Sequence, residues 1–185
     1  MFDLPMIILL KSIIETAEPL YGIPKVAGLP GIPVIQAYQP TQQGVATGPA
    51  AYLDIIGHQR VGQPAREDFY DEDTEKEVHR ETQVMITRFQ LSALATQDPK
   101  STTQYTAADI INLLGMILRS SDTIAKIEAE GLGMLLDQPS RNPKFIDDRG
   151  RFEAQPSLDF GITHKLIVST EVPVLQSTEF DIYVI

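Results

Sequence analysis

The apolar positions of this chain change their period several times, and each change marks an element. Between residues 4 and 18, Ile7, Leu10 and Ile14 recur at helical spacing, Pro5 suits a first turn, and Pro19 and Gly22 stop the pattern. This predicts a helix over 4–18. Between 82 and 95 the period falls to two: Met85, Thr87, Phe89, Leu91, Ala93 and Ala95 share one face, with Arg88, Gln90 and Ser92 opposite. That is the alternation of a half-covered strand. Thr106 and Asp109 have the spacing of a capping box, and Ile110, Leu113, Leu114, Ile117 and Leu118 make the apolar stripe of a helix running to about Ser120. A second, shorter helix follows, with Ser121 or Asp122 as N-cap, Ile124, Ala125 and Ile127 as its apolar positions, and Gly131 as its stop.

The period returns to two near the end. Leu132 to Leu136 reads as a strand. In residues 157–169, Leu158, Phe160, Ile162, His164, Leu166 and Val168 share a face, with Thr163 and Lys165 opposite. Residues 170–176 contain Pro173, the mark of an edge or kink, and 178–185 alternate again with Phe180, Ile182 and Val184 inward. Residues 137–151 carry Pro139, Asn142-Pro143 and Asp147 to Gly150, and read as a loop with turns. Residues 19–49 hold six of the 13 prolines, which excludes a long helix or a central strand there. Val34 to Tyr38 is a short strand within that stretch. Ala51 to Ile56 is a better one, and the two read as an antiparallel pair.

Helix, strands, helix pair and strands in that order predict an α+β fold: a mainly antiparallel sheet with the helix pair on one face, an N-terminal helix and long loops. The domain reading is an N-terminal helical arm over 1–18 and a single domain over 19–185. Ile7, Leu10 and Ile14 are the candidate assembly contacts. They face either the chain's own core or a neighbouring copy. No internal repeat is present.

Charge alters this picture at one place. The chain has 25 acidic and 15 basic residues, a net of −10. Residues 66–81 hold eight acids and three bases, half of that net charge. Such crowding predicts an exposed acidic loop inserted in the domain. A chain with so few cations has little with which to grip phosphates, and it is repelled by anionic membranes. The apolar run Met6 to Leu10 is followed at once by Lys11, too short to span a bilayer and without the basic start of a secretory signal.

The chain carries few motifs of known chemistry. Without Cys there is no disulfide, thiolate metal site or Cys nucleophile. Gly131-Leu132-Gly133 follows a helix instead of a strand and is no phosphate loop. His58, His79 and His164 lie far apart and form no metal or nucleophile signature. His58 and His79 read as surface residues, and His164 as a hydrogen-bonded core residue. Asp71 to Glu77 lacks the Gly of a calcium loop, and Lys76 intrudes. Asp54, Asp109 and Asp159 are the acids an enzyme would have to bring together, and Asp109 already has a capping role. No catalytic, metal or cofactor residue is assigned.

Three segments carry a resemblance. They are Gly28 to Pro40, Tyr105 to Leu114 with the short helix and Gly131 to Leu136 after it, and Phe152 to Ile162, a strand rising from a loop. In this order the chain resembles the neck or tail-terminator (tail-completion) proteins of long-tailed bacteriophages. The likeness spans most of residues 28–185. The N-terminal helix and residues 66–81 have no counterpart in it. The resemblance implies a structural virion protein, commonly a hexameric ring, that caps the head-proximal end of the tail tube, ends tail growth and joins the tail to the head connector. It implies as partners other copies of the chain, the tail tube protein, connector or neck proteins and, in contractile tails, the sheath. DNA would pass through the channel without specific binding. Assembly would take place in the host bacterial cytoplasm. Asp71, Glu72, Asp73 and Glu75 are then candidates to face the lumen or the adjoining ring. The alternatives are another neck or sheath-associated ring protein, or an adaptor outside phage biology that binds through a sheet edge.

Overall fold

The computed structural model describes residues 3–18, 31–37, 48–95, 100, 105–136, 138–146 and 152–172. The elements run α1 (Asp3–Ala17), β1 (Val34–Gln36), β2 (Ala50–Asp71), β3 (Lys76–Leu94), α2 (Ala107–Leu118), α3 (Ser121–Ala129), β4 (Gly133–Leu135), β5 (Lys144–Ile146), β6 (Phe152–Ala154) and β7 (Ser157–Val172). A five-stranded, mostly antiparallel sheet has the order β1-β2-β3-β7-β4, and β5 and β6 form a separate two-stranded sheet. The fold is α+β.

The chain divides into two compact units: Met1–Gln59 with Ile86–His164, and Arg60–Met85 with Lys165–Ile185. In the first unit one core gathers α1, α2, α3 and the inner parts of the strands. Met6, Leu10, Ile14, Leu53, Phe89, Leu91, Ile110, Leu114, Ile117, Leu118 and Phe160 are among its fully buried members. Phe89 and Phe160 stack on neighbouring strands, with ring centroids 5.5 Å apart. Helix α1 contributes six buried residues to this core.

Local signals explain the helix boundaries. Thr106 Oγ1 accepts from the Asp109 amide at 3.1 Å, and the Asp109 carboxylate accepts from the Thr106 amide at 2.9 Å, which closes the capping box. The Thr106 amide, and after it the Thr106 hydroxyl, donate to the Asp109 carboxylate and hold its pKa below the usual value. The N-cap of α3 is Ser120, one residue before the expected pair: its hydroxyl accepts from the Thr123 amide. Gly131 takes a φ of 71°, its amide bonds to Glu128 and that of Leu132 to Ile127, so α3 ends in a Schellman turn.

Four expectations change. Strands β1 and β2 are parallel, with Val34 beside Ala51, because residues 37–49 between them are long enough to cross over. Residues 137–151 are not all loop, since β5 pairs antiparallel with β6. The acidic segment 66–81 is strand except for the turn at 72–75. In β7 the apolar face is buried only as far as His164; Leu166 and Val168 are 43% and 56% exposed. The stretches 19–30 and 38–47, most of the 96–104 loop, the 147–150 turn and the strands expected after Val172 lie outside the described residues.

Candidate assembly surface

The described residues of the second unit are the outer parts of β2 and β3, joined at 72–75, and the end of β7. The charges that suggested a loop are paired across the hairpin. Arg66 Nε lies 2.9 Å from Glu81, Arg80 lies 3.8 Å from Glu67, and His79 Nδ1 bonds Asp68. Each pair is equidistant from the centre of the turn, as cross-strand neighbours must be. Arg80 also lies over the Phe69 ring at 4.5 Å. His79 sits between Asp68 and Glu81, and these two carboxylates raise its pKa. At the tip, the Asp71 carboxylate accepts from the Asp73 amide, and Glu75 adopts a φ of 52°, unusual for a residue with a side chain.

Among the described residues almost nothing covers this sheet. Val78 is its one buried apolar residue among those described, whereas Val61, Tyr70, Val84, Leu166, Ile167 and Val168 are exposed. Residues 166 and 168 point to one face and 167 to the other, so neither face of β7 is packed here. A three-stranded sheet with one buried apolar side chain among its described residues is a structure that waits for a partner.

The sequence-predicted contacts fall differently. Ile7, Leu10 and Ile14 are 6%, 1% and 0% exposed and belong to the core of their own chain. The exposed apolar residues of α1 are Leu4 and Ile8, which border a cleft of about 180 Å³ also lined by Val34 and Leu53. The same helical stripe that identified the buried face left these two outside it. Asp71, Glu72, Asp73 and Glu75 are grouped at the hairpin turn, with Asp71 half-buried and the others exposed.

Two polar groupings that link buried to exposed side chains were invisible in the sequence. The Thr87 hydroxyl, fully buried, sits 3.0 Å from His164 Nε2 and 3.3 Å from His58 Nδ1, while His58 Nε2 is 3.6 Å from Asp3. The order carboxylate, imidazole, hydroxyl is that of an activated nucleophile. Here Thr87 has no exposed surface through which a substrate could reach it, so the row ties three strands together. Burial pushes the His164 pKa down. The second grouping joins α1 to β1: Glu18, 1% exposed, accepts from the Ile32 amide at 2.8 Å, and Glu15 accepts from the Val34 amide at 3.2 Å.

Two of the acids considered for catalysis, Asp109 and Asp159, have structural partners. Asp109 caps α2, and Asp159 is bound by Arg141 and by Gln90 Nε2 at 2.9 Å. The open cleft beside Asp159 is lined by Gln90, Arg141, Asn142, Pro143, Gln155 and Ser157, without a carboxylate. Among the described residues no three His, Asp or Glu side chains gather as a metal site, and no helix is long and apolar enough to cross a membrane.

No curated protein sequence matches the chain significantly. Residues 5–174 match the family described as E217 gateway protein gp29, and this span contains the core, the hairpin and the whole of β7. The match reaches into α1 and across residues 66–81, the two parts that the resemblance to tail terminators left out. The chain belongs to this family of bacteriophage head–tail gateway proteins.

Proposed function

We propose that copies of this chain form a ring, hexameric as in the proteins it resembles, at the head-proximal end of the tail tube. There the ring ends tube growth and joins the tail to the connector beneath the head. The family match over residues 5–174 carries the reading. The uncovered outer sheet supports it, because a subunit of a ring keeps apolar surface free for its neighbours. In this reading the chain is structural and performs no bond chemistry. Its partners are other copies, the tail tube protein, the neck proteins above it and, in contractile tails, the sheath. Leu4 and Ile8 take over the contact role first given to Ile7, Leu10 and Ile14.

Asp71, Glu72, Asp73 and Glu75 face the channel or the adjoining ring. Lining a channel with carboxylates lets DNA slide past without binding, since like charge repels phosphate. Depletion of the chain during infection tests the function. The expected products are filled heads and separate tails, with tubes of uncontrolled length. Normal particles formed without the chain would refute the reading.

A further inference from the structure

The described strands of the second unit present two outer edges, and these are built differently. Strand β2 is paired by β1 only at Ala51 to Leu53. Beyond that, its outer edge carries Pro64 and the charged Arg60, Arg66, Glu67, Asp68 and Asp71. Proline and charge are the features that stop an edge from recruiting another strand. Strand β7 is paired by β4 only at Gly161 to Thr163. Past His164 its edge runs Leu166-Ile167-Val168-Ser169-Thr170, with no charge and no proline, and every residue exposed. Such a run of strand formers, on an edge unpaired among the described residues, pairs readily with another strand. Lys165 and Glu171 bracket it, opposite charges equidistant from Val168.

We propose that this edge recognises itself: two free copies of the chain pair their β7 strands antiparallel about a two-fold axis at Val168. In that register Lys165 faces Glu171 of the partner subunit, and Glu171 faces Lys165 of the partner subunit. The uncharged run lies between the two ion pairs. Parallel pairing in register would instead set lysine beside lysine and glutamate beside glutamate. Shifting the antiparallel register by two residues breaks both ion pairs. Charge complementarity therefore selects the two-fold arrangement. The ends are available for it. Glu171 Oε2 accepts from Lys76 of its own chain at 2.5 Å, which leaves Oε1, and Lys165 has no ion-pair partner among the described residues. The contact is isologous and so is separate from the ring, whose interfaces are heterologous. It covers an adhesive edge while the chain is outside the particle.

Light scattering on the full chain over a concentration series tests the pairing. The expected mass is twice that of one chain. Lys165→Glu is expected to weaken the dimer about tenfold or more, Lys165→Glu with Glu171→Lys to restore it, and Val168→Pro to abolish it. Circular dichroism checks that each variant folds. Hydrogen exchange of the wild-type amides over 165–171 is expected to slow as concentration rises, a readout that needs no variant. A single-chain mass at every concentration, a dimer indifferent to Lys165→Glu, a double variant no tighter than the single one, or concentration-independent exchange would each overturn the proposal. None of these results bears on whether the chain occupies the neck.

Discussion

Glu18 carries a carboxyl into the core, where one oxygen bonds the Ile32 amide and the other has no partner among the described residues. Burial is the largest cause that pushes its pKa up to about 7. A carboxyl with a raised folded pKa binds its proton more tightly in the fold. Its stabilisation is complete below its ordinary 4.5 and is lost as pH rises through about 7. Glu18→Gln keeps the acceptor for Ile32 and removes the charge. Thermal unfolding should show this variant more stable at about pH 8 by on the order of 2–3 kcal/mol, and indistinguishable near pH 4. Equal pH profiles would contradict the assignment. His164 works in the opposite sense: its lowered pKa gives stability that is full above its ordinary 6.5 and lost as pH falls. The Gln variant should therefore retain a decline on acidification. Thr106, Asp109 and Gly131 were legible in the sequence because a cap is a contact between near neighbours. Glu18 was not, because its partner, the Ile32 amide, lies 14 residues further along the chain.

The hairpin of β2 and β3 shows where counting charge misleads. Net charge over 66–81 predicts a loop, whereas the structure arranges those charges as opposing pairs. The missed signal was present: opposite charges stand at equal distances on either side of Asp73-Thr74. The turn itself stores strain. Glu75 occupies the left-handed region, which costs a residue with a side chain about 1–2 kcal/mol. Glu75→Gly should raise stability by about 0.5–1 kcal/mol after the added freedom of glycine in the unfolded chain is subtracted. Chemical denaturation checks it, and a loss of stability would mean the side chain makes a contact that outweighs the strain. Strands β3 and β7 were recognised through their buried residues, but periodicity carried Leu166 and Val168 into a core that ends at His164. Alternation reports which residues share a face and says nothing about whether that face is covered. The parallel pairing of β1 was hidden for a related reason, since strand direction is set by the connection and not by the strand.

On the scale of the whole molecule, the two units divide the work. The first has a continuous core that holds α1, α2 and α3 against the strands. The second has an uncovered sheet with one buried apolar residue among those described. The α+β class followed from the order of the elements alone, and the kinship with phage head–tail proteins, though not the gateway family itself, from three segments read together. The assembly surface could not be found in the same way, because exposure is a property of the folded chain. Membership in the gateway family and the bare outer sheet fit a protein whose action is to hold neighbours in place. The most direct test is a cryo-electron reconstruction of the virion neck at side-chain resolution. The account predicts density for this chain repeated around the tail axis at the head-proximal end of the tube, with the outer sheet buried against adjoining subunits. A neck complete without this chain, or one in which Leu166 to Val168 still face solvent, would contradict it.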